Sequence, residues 1–221
     1  KVSEFALSLV PVYPYGKVHI LELVAAQTLA DFCKRRAAVY MSLYGFCRFL
    51  DRVILVALWD NHGGGNNIDA ADLDPRIKVL SCEPEKKRMY FVGEYDCVCY
   101  FGYHAMEGTL GGVLAHTMSS KTIQHYKLNG RHIGEVDMDA YIAASYGVPS
   151  CLFVGGDIAC AQAERAIPGI VTVVTKHEIS RNEAVFRDNG ELFADIKAKV
   201  SEAVEKDIPA YLLTYPAVME K

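Results

Sequence analysis

The sequence predicts an α/β fold: a largely parallel sheet with helices on both faces, in a single domain over residues 1–221, with residues 180–221 as a C-terminal helix and arm. Three observations predict it. Short β-branched or aromatic runs recur between Gly, Pro, Asp and Asn, segments of helical period alternate with them, and 221 residues suit one domain with a substantial core. Parallel strands need long crossovers, and helices packed on the sheet supply them.

Taken in order, the apolar stretch His19–Leu50 has helical spacing, broken near Ser42 to Gly45. The first expected strand is Arg52–Leu58, followed by Ile77–Leu80 and Cys97–Phe101. Asn129-Gly130 marks a turn. A helix over Glu135–Tyr146 stops at Tyr146-Gly147-Val148-Pro149, where glycine and proline cannot extend it. The strand Cys151–Val154 then leads through Gly155-Gly156 into a helix Asp157–Ala166 with Asp157 as its N-cap. Ile170–Thr175 reads as a strand, Glu191–Glu205 as a helix, and Ile208–Leu213 as a closing strand or arm. No linker marks a second domain.

Composition excludes several classes. Hydrophobic residues make up 51% and charged residues 23%, the balance of a globular rather than a disordered chain. A net charge of −4 offers no broad basic surface, so neither nucleic acid nor an anionic membrane is an expected partner. The long apolar stretch is interrupted by Glu22, Asp31, Lys34, Arg35, Arg36 and Arg48 and cannot be a membrane span, and no signal peptide opens the chain. Seven cysteines without a framework spacing favour a reducing cytoplasm, and Cys97-Val98-Cys99 reads as buried strand rather than as a ligand pair.

In an open α/β sheet, ligands gather beyond the carboxyl ends of the strands. Asp60-Asn61-His62 and Gly102-Tyr103-His104 each follow a strand and bring a histidine to that rim. His62 precedes Gly63-Gly64-Gly65-Asn66-Asn67, a turn that lets a ligand approach the backbone, although a lone loop histidine is usually a surface residue. His104 and His116 have apolar flanks, where imidazole needs a hydrogen-bond or metal partner; a satisfied core histidine is the plainer alternative. Glu135 opens a helix, which the macrodipole alone would favour, but a carboxylate with two histidines is also a common catalytic zinc set. His19, His125, His132 and His177 show no converging partner and read as structural or solvent-facing. Gly108-Thr109-Leu110-Gly111-Gly112 lacks the lysine of a phosphate loop, and no serine-hydrolase elbow or H-E-x-x-H helix is present.

Four motifs in register resemble the DppA-type zinc D-aminopeptidase family: Trp59-Asp60-Asn61-His62-Gly63-Gly64-Gly65-Asn66-Asn67, Phe101-Gly102-Tyr103-His104-Ala105, Gly111-Gly112-Val113-Leu114-Ala115-His116-Thr117 and Leu128-Asn129-Gly130-Arg131-His132-Ile133-Gly134-Glu135. The match continues through Tyr146-Gly147-Val148-Pro149, Gly156-Asp157 and Ile179-Ser180-Arg181. The resemblance implies a metallopeptidase that uses metal-activated water to remove N-terminal D-amino acids, D-alanine above all, from short peptides. It implies His62, His104 and Glu135 as metal ligands, His116 as the catalytic histidine, and two zinc ions per chain. It also implies a ring-shaped, decamer-like homo-oligomer.

One departure from the family lies at the N-terminus, where an Asp-x-Glu-Gly strand end should supply two more carboxylates. Val10 and Val12 stand at those positions here. Two zinc ions bring four positive charges against the single negative charge of His62, His104 and Glu135, so one ion suits these donors better. Three readings fit the departure: a member that has lost activity and serves as an oligomeric peptide-binding scaffold, a one-metal variant, or an N-terminal sequence not correctly recorded. The last is favoured, because the first sixty residues read unlike the rest.

Overall fold

The computed structural model describes residues 3–8, 18–26, 53–60, 77–80, 83, 85–205 and 219–220. Along the chain, strands β1 (Ser3–Ser8), β2 (Val18–Ala26), β3 (Val53–Trp59), β4 (Ile77–Leu80) and β5 (Val98–Tyr103) come first. A hairpin of β6 (Tyr126–Leu128) and β7 (Arg131–Ile133) leads into helix α1 (Glu135–Ser145). Next come β8 (Ser150–Gly156), α2 (Asp157–Ala166), β9 (Val171–Ser180), β10 (Glu183–Phe186), α3 (Asn189–Glu205) and β11 (Met219–Glu220).

The main sheet is eight-stranded in the order β10-β9-β8-β5-β2-β1-β3-β4, with β2 also pairing with β3. Its pairings β2–β3, β2–β5, β3–β4, β5–β8 and β8–β9 are parallel, whereas β1 and β10 run antiparallel to their neighbours. The expected parallel-dominated α/β fold is therefore observed. β11 joins the β6–β7 hairpin in a separate three-stranded sheet.

Residue chemistry explains the order. Every position of β8 is buried, and because successive side chains point to opposite faces, both faces of the sheet are covered there. Leu152 and Phe153 pair in register with Cys99 and Tyr100 of β5, all fully buried. Burying one such aromatic contributes roughly 1.5–3 kcal/mol. The Tyr100 hydroxyl meets Ser150 Oγ at 2.8 Å, so this buried polar group is satisfied. Cys97, Cys99, Cys151 and Cys160 are buried cysteines that pack as small hydrophobes, and burial pushes the Cys160 thiol up to about 12.

Punctuation in the sequence works as its chemistry requires. Asn129 and Gly130 both take positive φ, 51° and 76°, as a two-residue hairpin turn between β6 and β7 demands. Gly147, at φ 78°, ends α1: its N–H donates to the Ala144 carbonyl and that of Val148 to the Ala143 carbonyl, the paired bonds of a Schellman stop.

Two expectations are corrected. The helical reading of His19–Leu50 fails at its start, where Val18–Ala26 is strand β2 in parallel register with β5, Leu21 opposite Val98 and Val24 opposite Phe101. A short apolar run with Val and Ile satisfies either period, and the central position in the sheet decides the outcome. Asp157 is the first residue of α2 rather than its N-cap, which is Gly156. The expected arm Ile208–Leu213, most of the expected helix to Leu50, and Val10 and Val12 lie outside the described residues.

Candidate metal centre

Parallel strands place their carboxyl ends on one rim, and β5 delivers His104 there. Its pairing with β8 shifts register between Phe101 and Tyr103, where Gly102 adopts φ 70°. A bulge of this kind re-aims the side chains that follow it. His116 arrives on the loop that leaves β5 and returns: its N–H donates to the Ala105 carbonyl, 3.2 Å away. Glu135 is the first residue of α1, set by the β6–β7 turn and by Gly134, where a Cβ would lie 2.9 Å from Met106 Cβ. Asp137 secures that helix start by accepting the Gly134 N–H at 2.8 Å.

These elements bring His104, His116 and Glu135 together, with one ligand atom from each within 4.8 Å of the others. His104 Nε2 lies 3.6 Å and His116 Nε2 3.9 Å from Glu135 Oε1, and the three side chains are only 7, 17 and 9% exposed. The two imidazoles stack at 3.7 Å between centroids, 17° from parallel. Each Nδ1 contacts a backbone carbonyl, Ala105 at 3.0 Å for His104 and Leu114 at 2.7 Å for His116. An imidazole that donates from Nδ1 presents an Nε2 lone pair, the arrangement of a metal-ligating or proton-accepting histidine. Glu135 Oε1 also accepts the Met118 N–H at 2.9 Å.

Behind Glu135 stands a charge network that the sequence reading missed. Arg88 donates from Nε and Nη2 to both oxygens of Asp139, at 2.5 and 2.8 Å, and its Nη2 lies 3.9 Å from Glu135 Oε2. The Tyr103 hydroxyl donates to Asp139 at 2.6 Å, and the guanidinium sits over the Trp59 ring. Burial alone would lower the Arg88 pKa, but the charge and hydrogen bonds of Asp139 raise it. Asp139 was discoverable in principle, since it lies one helical turn after Glu135 on the same face. Arg88 gave no local signal, being 51 residues from the carboxylate it meets.

His62 lies outside the described residues. Asp60, the residue that follows β3, is buried. Three histidines read as lacking partners have them: the rings of His125 and His132 lie 5.0 Å apart, and His177 Nδ1 is 3.2 Å from Asp157. A cavity of about 820 Å³ is lined by Glu107, Ser120, Lys121, Thr122, Gln124 and His125, on the chain that follows His104 and His116. No helix among the described residues is long and apolar enough to cross a membrane.

A family model described as D-aminopeptidase matches residues 50–220. A D-aminopeptidase of Bacillus subtilis (strain 168) is 32% identical over 125 residues, 56% of this chain and 45% of that protein. The chain thus spans about half the length of that curated relative. The solved structure of the Zn-dependent D-aminopeptidase DppA from Bacillus subtilis, described as a self-compartmentalizing protease, matches with a TM-score of 0.75 at 24% identity. The match covers 86% of this chain and 70% of that one, and at this identity it shows the shared fold.

Proposed function

The chain belongs to the D-aminopeptidase family, and from that premise we propose that it is a zinc-dependent enzyme that removes N-terminal D-amino acids, D-alanine foremost, from short peptides. One observation supports this above the others: the His104 Nε2 and a Glu135 oxygen converge at the rim of a parallel sheet, with the His116 imidazole stacked beside them. Zinc takes nitrogen and oxygen donors at about 2.0–2.2 Å, so neighbouring ligand atoms lie roughly 3.3–3.5 Å apart. The 3.6 Å between His104 Nε2 and Glu135 Oε1 is close to that spacing. The donors therefore fit the metal.

In this reading His104 and Glu135 hold the ion together with His62, and His116 handles protons. A bound zinc supplies Lewis acidity and makes water a nucleophile at neutral pH. The Met118 N–H and Arg88 fix the two oxygens of Glu135, so that Oε1 faces the histidines. His116, its Nδ1 against the Leu114 carbonyl, accepts a proton at Nε2 during attack and returns it to the departing amine. The polar cavity beside Glu107 accommodates a short peptide. We take the whole chain as a single cytoplasmic domain that assembles into a ring-shaped, decamer-like homo-oligomer, which would admit only small or unfolded peptides. At the described donors the charge count favours one ion per chain. A second would need carboxylates beyond those described.

Zinc-loaded protein should cleave a D-alanyl amide faster than its L-alanyl counterpart. The His116→Ala variant should lose about 100-fold or more in kcat while retaining its zinc, as expected for loss of a general acid–base. Undiminished cleavage by that variant would remove His116 from the chemistry. Indifference of the wild type to the D-configuration would remove the substrate assignment.

A further inference from the structure

Ile179-Ser180-Arg181 stands at the end of β9, far in sequence from the donors, yet this end of the strand reaches the loop that carries His116. Three successive residues of the loop are tied to it. The Val113 N–H donates to Glu178 Oε1 at 2.7 Å, the Leu114 N–H to the Arg181 carbonyl at 2.8 Å, and Arg181 Nη1 donates to the Ala115 carbonyl at 2.8 Å. Glu178 is itself anchored: its Oε2 accepts N–H groups of Ile158 and Ala159 at the start of α2, and its own N–H donates to Asp157 Oδ1. An acid is well placed at a helix N-terminus. The fit leaves no room at Gly156, where a Cβ would lie 2.3 Å from Glu178 Oε2.

The loop needs such ties. Leu114 and Met118, two residues either side of His116, hold φ of 51° and 62°, a left-handed conformation that non-glycine residues keep only where their surroundings impose it. Leu114 is also the residue whose carbonyl meets His116 Nδ1. Its amide is held by Arg181 and its carbonyl orients the imidazole, so the tie passes through one peptide-length of chain.

We infer that the end of β9 is a clasp that orients His116, with Glu178 and Arg181 as positioning residues: by fixing residues 113–115 they aim the Leu114 carbonyl at Nδ1 and so turn Nε2 toward Glu135. The inference rests on the proposed role of His116 as the proton-handling group. It concerns how that ring is held, which can be measured without catalysis.

The test uses the full chain and its Arg181→Met, Arg181→Lys and Glu178→Gln variants. In metal-free protein, nitrogen NMR of labelled histidine reports the His116 tautomer. In zinc-loaded protein, kinetics on D-alanyl-p-nitroanilide report kcat and KM. Arg181→Met should mix the His116 tautomers while leaving His104 unchanged, and lower kcat by about 10- to 100-fold with KM and bound zinc nearly constant, the mark of a misaimed acid–base. Arg181→Lys, which can still donate to the Ala115 carbonyl, should restore most of both. If Arg181→Met does not fold, the same tautomer measurement on Glu178→Gln decides. An unchanged His116 tautomer would overturn the clasp, as would equal disturbance of His104 and His116 with loss of zinc, which marks general loosening. If the wild type cleaves nothing, the functional reading fails while the tautomer result alone judges the clasp.

Discussion

A buried charge is stable only through its partners, and Asp139 shows what that means for one residue. It is fully buried, and its oxygens are met by the Arg88 guanidinium and the Tyr103 hydroxyl. Removing Arg88 would leave a carboxylate in the core with the tyrosine hydroxyl as its one remaining partner in that network. Arg88→Met should therefore destabilise the fold by about 3–5 kcal/mol, the usual cost of breaking a buried pair from one side. Urea denaturation measures it. The double variant Arg88→Met/Asp139→Leu should recover much of the loss, and a single-variant loss below about 1 kcal/mol would show that water replaces the arginine. At this scale the sequence was partly legible. Apolar flanks marked His104 and His116 as imidazoles in need of partners, and both have backbone carbonyls at Nδ1. What it could not show was pairing across long separations, because Arg88 in a polar stretch looks like any solvated cation until α1 is folded against it.

Elements were legible where short-range chemistry decides them. β4 and α2 have the expected bounds, and β5 and α1 shift by one or two residues, because glycine, proline and β-branched runs act locally. β2 was misread because its period is ambiguous and its state is set by neighbours in the sheet. β9 runs past its expected end at Thr175 to Ser180 because β10 pairs with it, and this extension holds a charge that the apolar pattern hid. Lys176 on β9 is buried, and that burial lowers its pKa from 10.5 to about 8 despite the opposing charges of Glu178 and Asp157. Below about 8 both folded and unfolded chains hold the proton, so the cost of burying the ammonium is fully present. Between about 8 and 10.5 the folded chain gives up its proton first, and stability rises with pH. Lys176→Met should remove that rise and stabilise the protein at pH 7 by on the order of 1–3 kcal/mol. Denaturation curves from pH 7 to pH 10 test this. Parallel stability profiles for the two proteins would show that Lys176 stays charged in the fold.

On the scale of the whole molecule, the donors form a junction. His104 follows β5 and Glu135 begins α1, with the His116 ring stacked beside them, so one divalent ion would add a link between β5 and α1. A ligand that binds the folded chain alone stabilises it by mass action, about 2.7 kcal/mol when present at 100 times its Kd. For a domain of this size each kcal/mol moves the melting temperature by about 2–4 °C. Chelation of the zinc-loaded protein should therefore lower its Tm by roughly 5–10 °C, and zinc should restore it. The titration should end near one equivalent per chain if Glu135 is the one carboxylate ligand, and near two if other carboxylates join it. Elemental analysis of the same samples fixes the count. His104→Ala should be insensitive to both chelator and zinc, because it removes a donor without touching the Arg88–Asp139 network. A wild-type melting temperature indifferent to chelation and to added zinc would mean that the three side chains stack as a satisfied core group rather than as a metal centre.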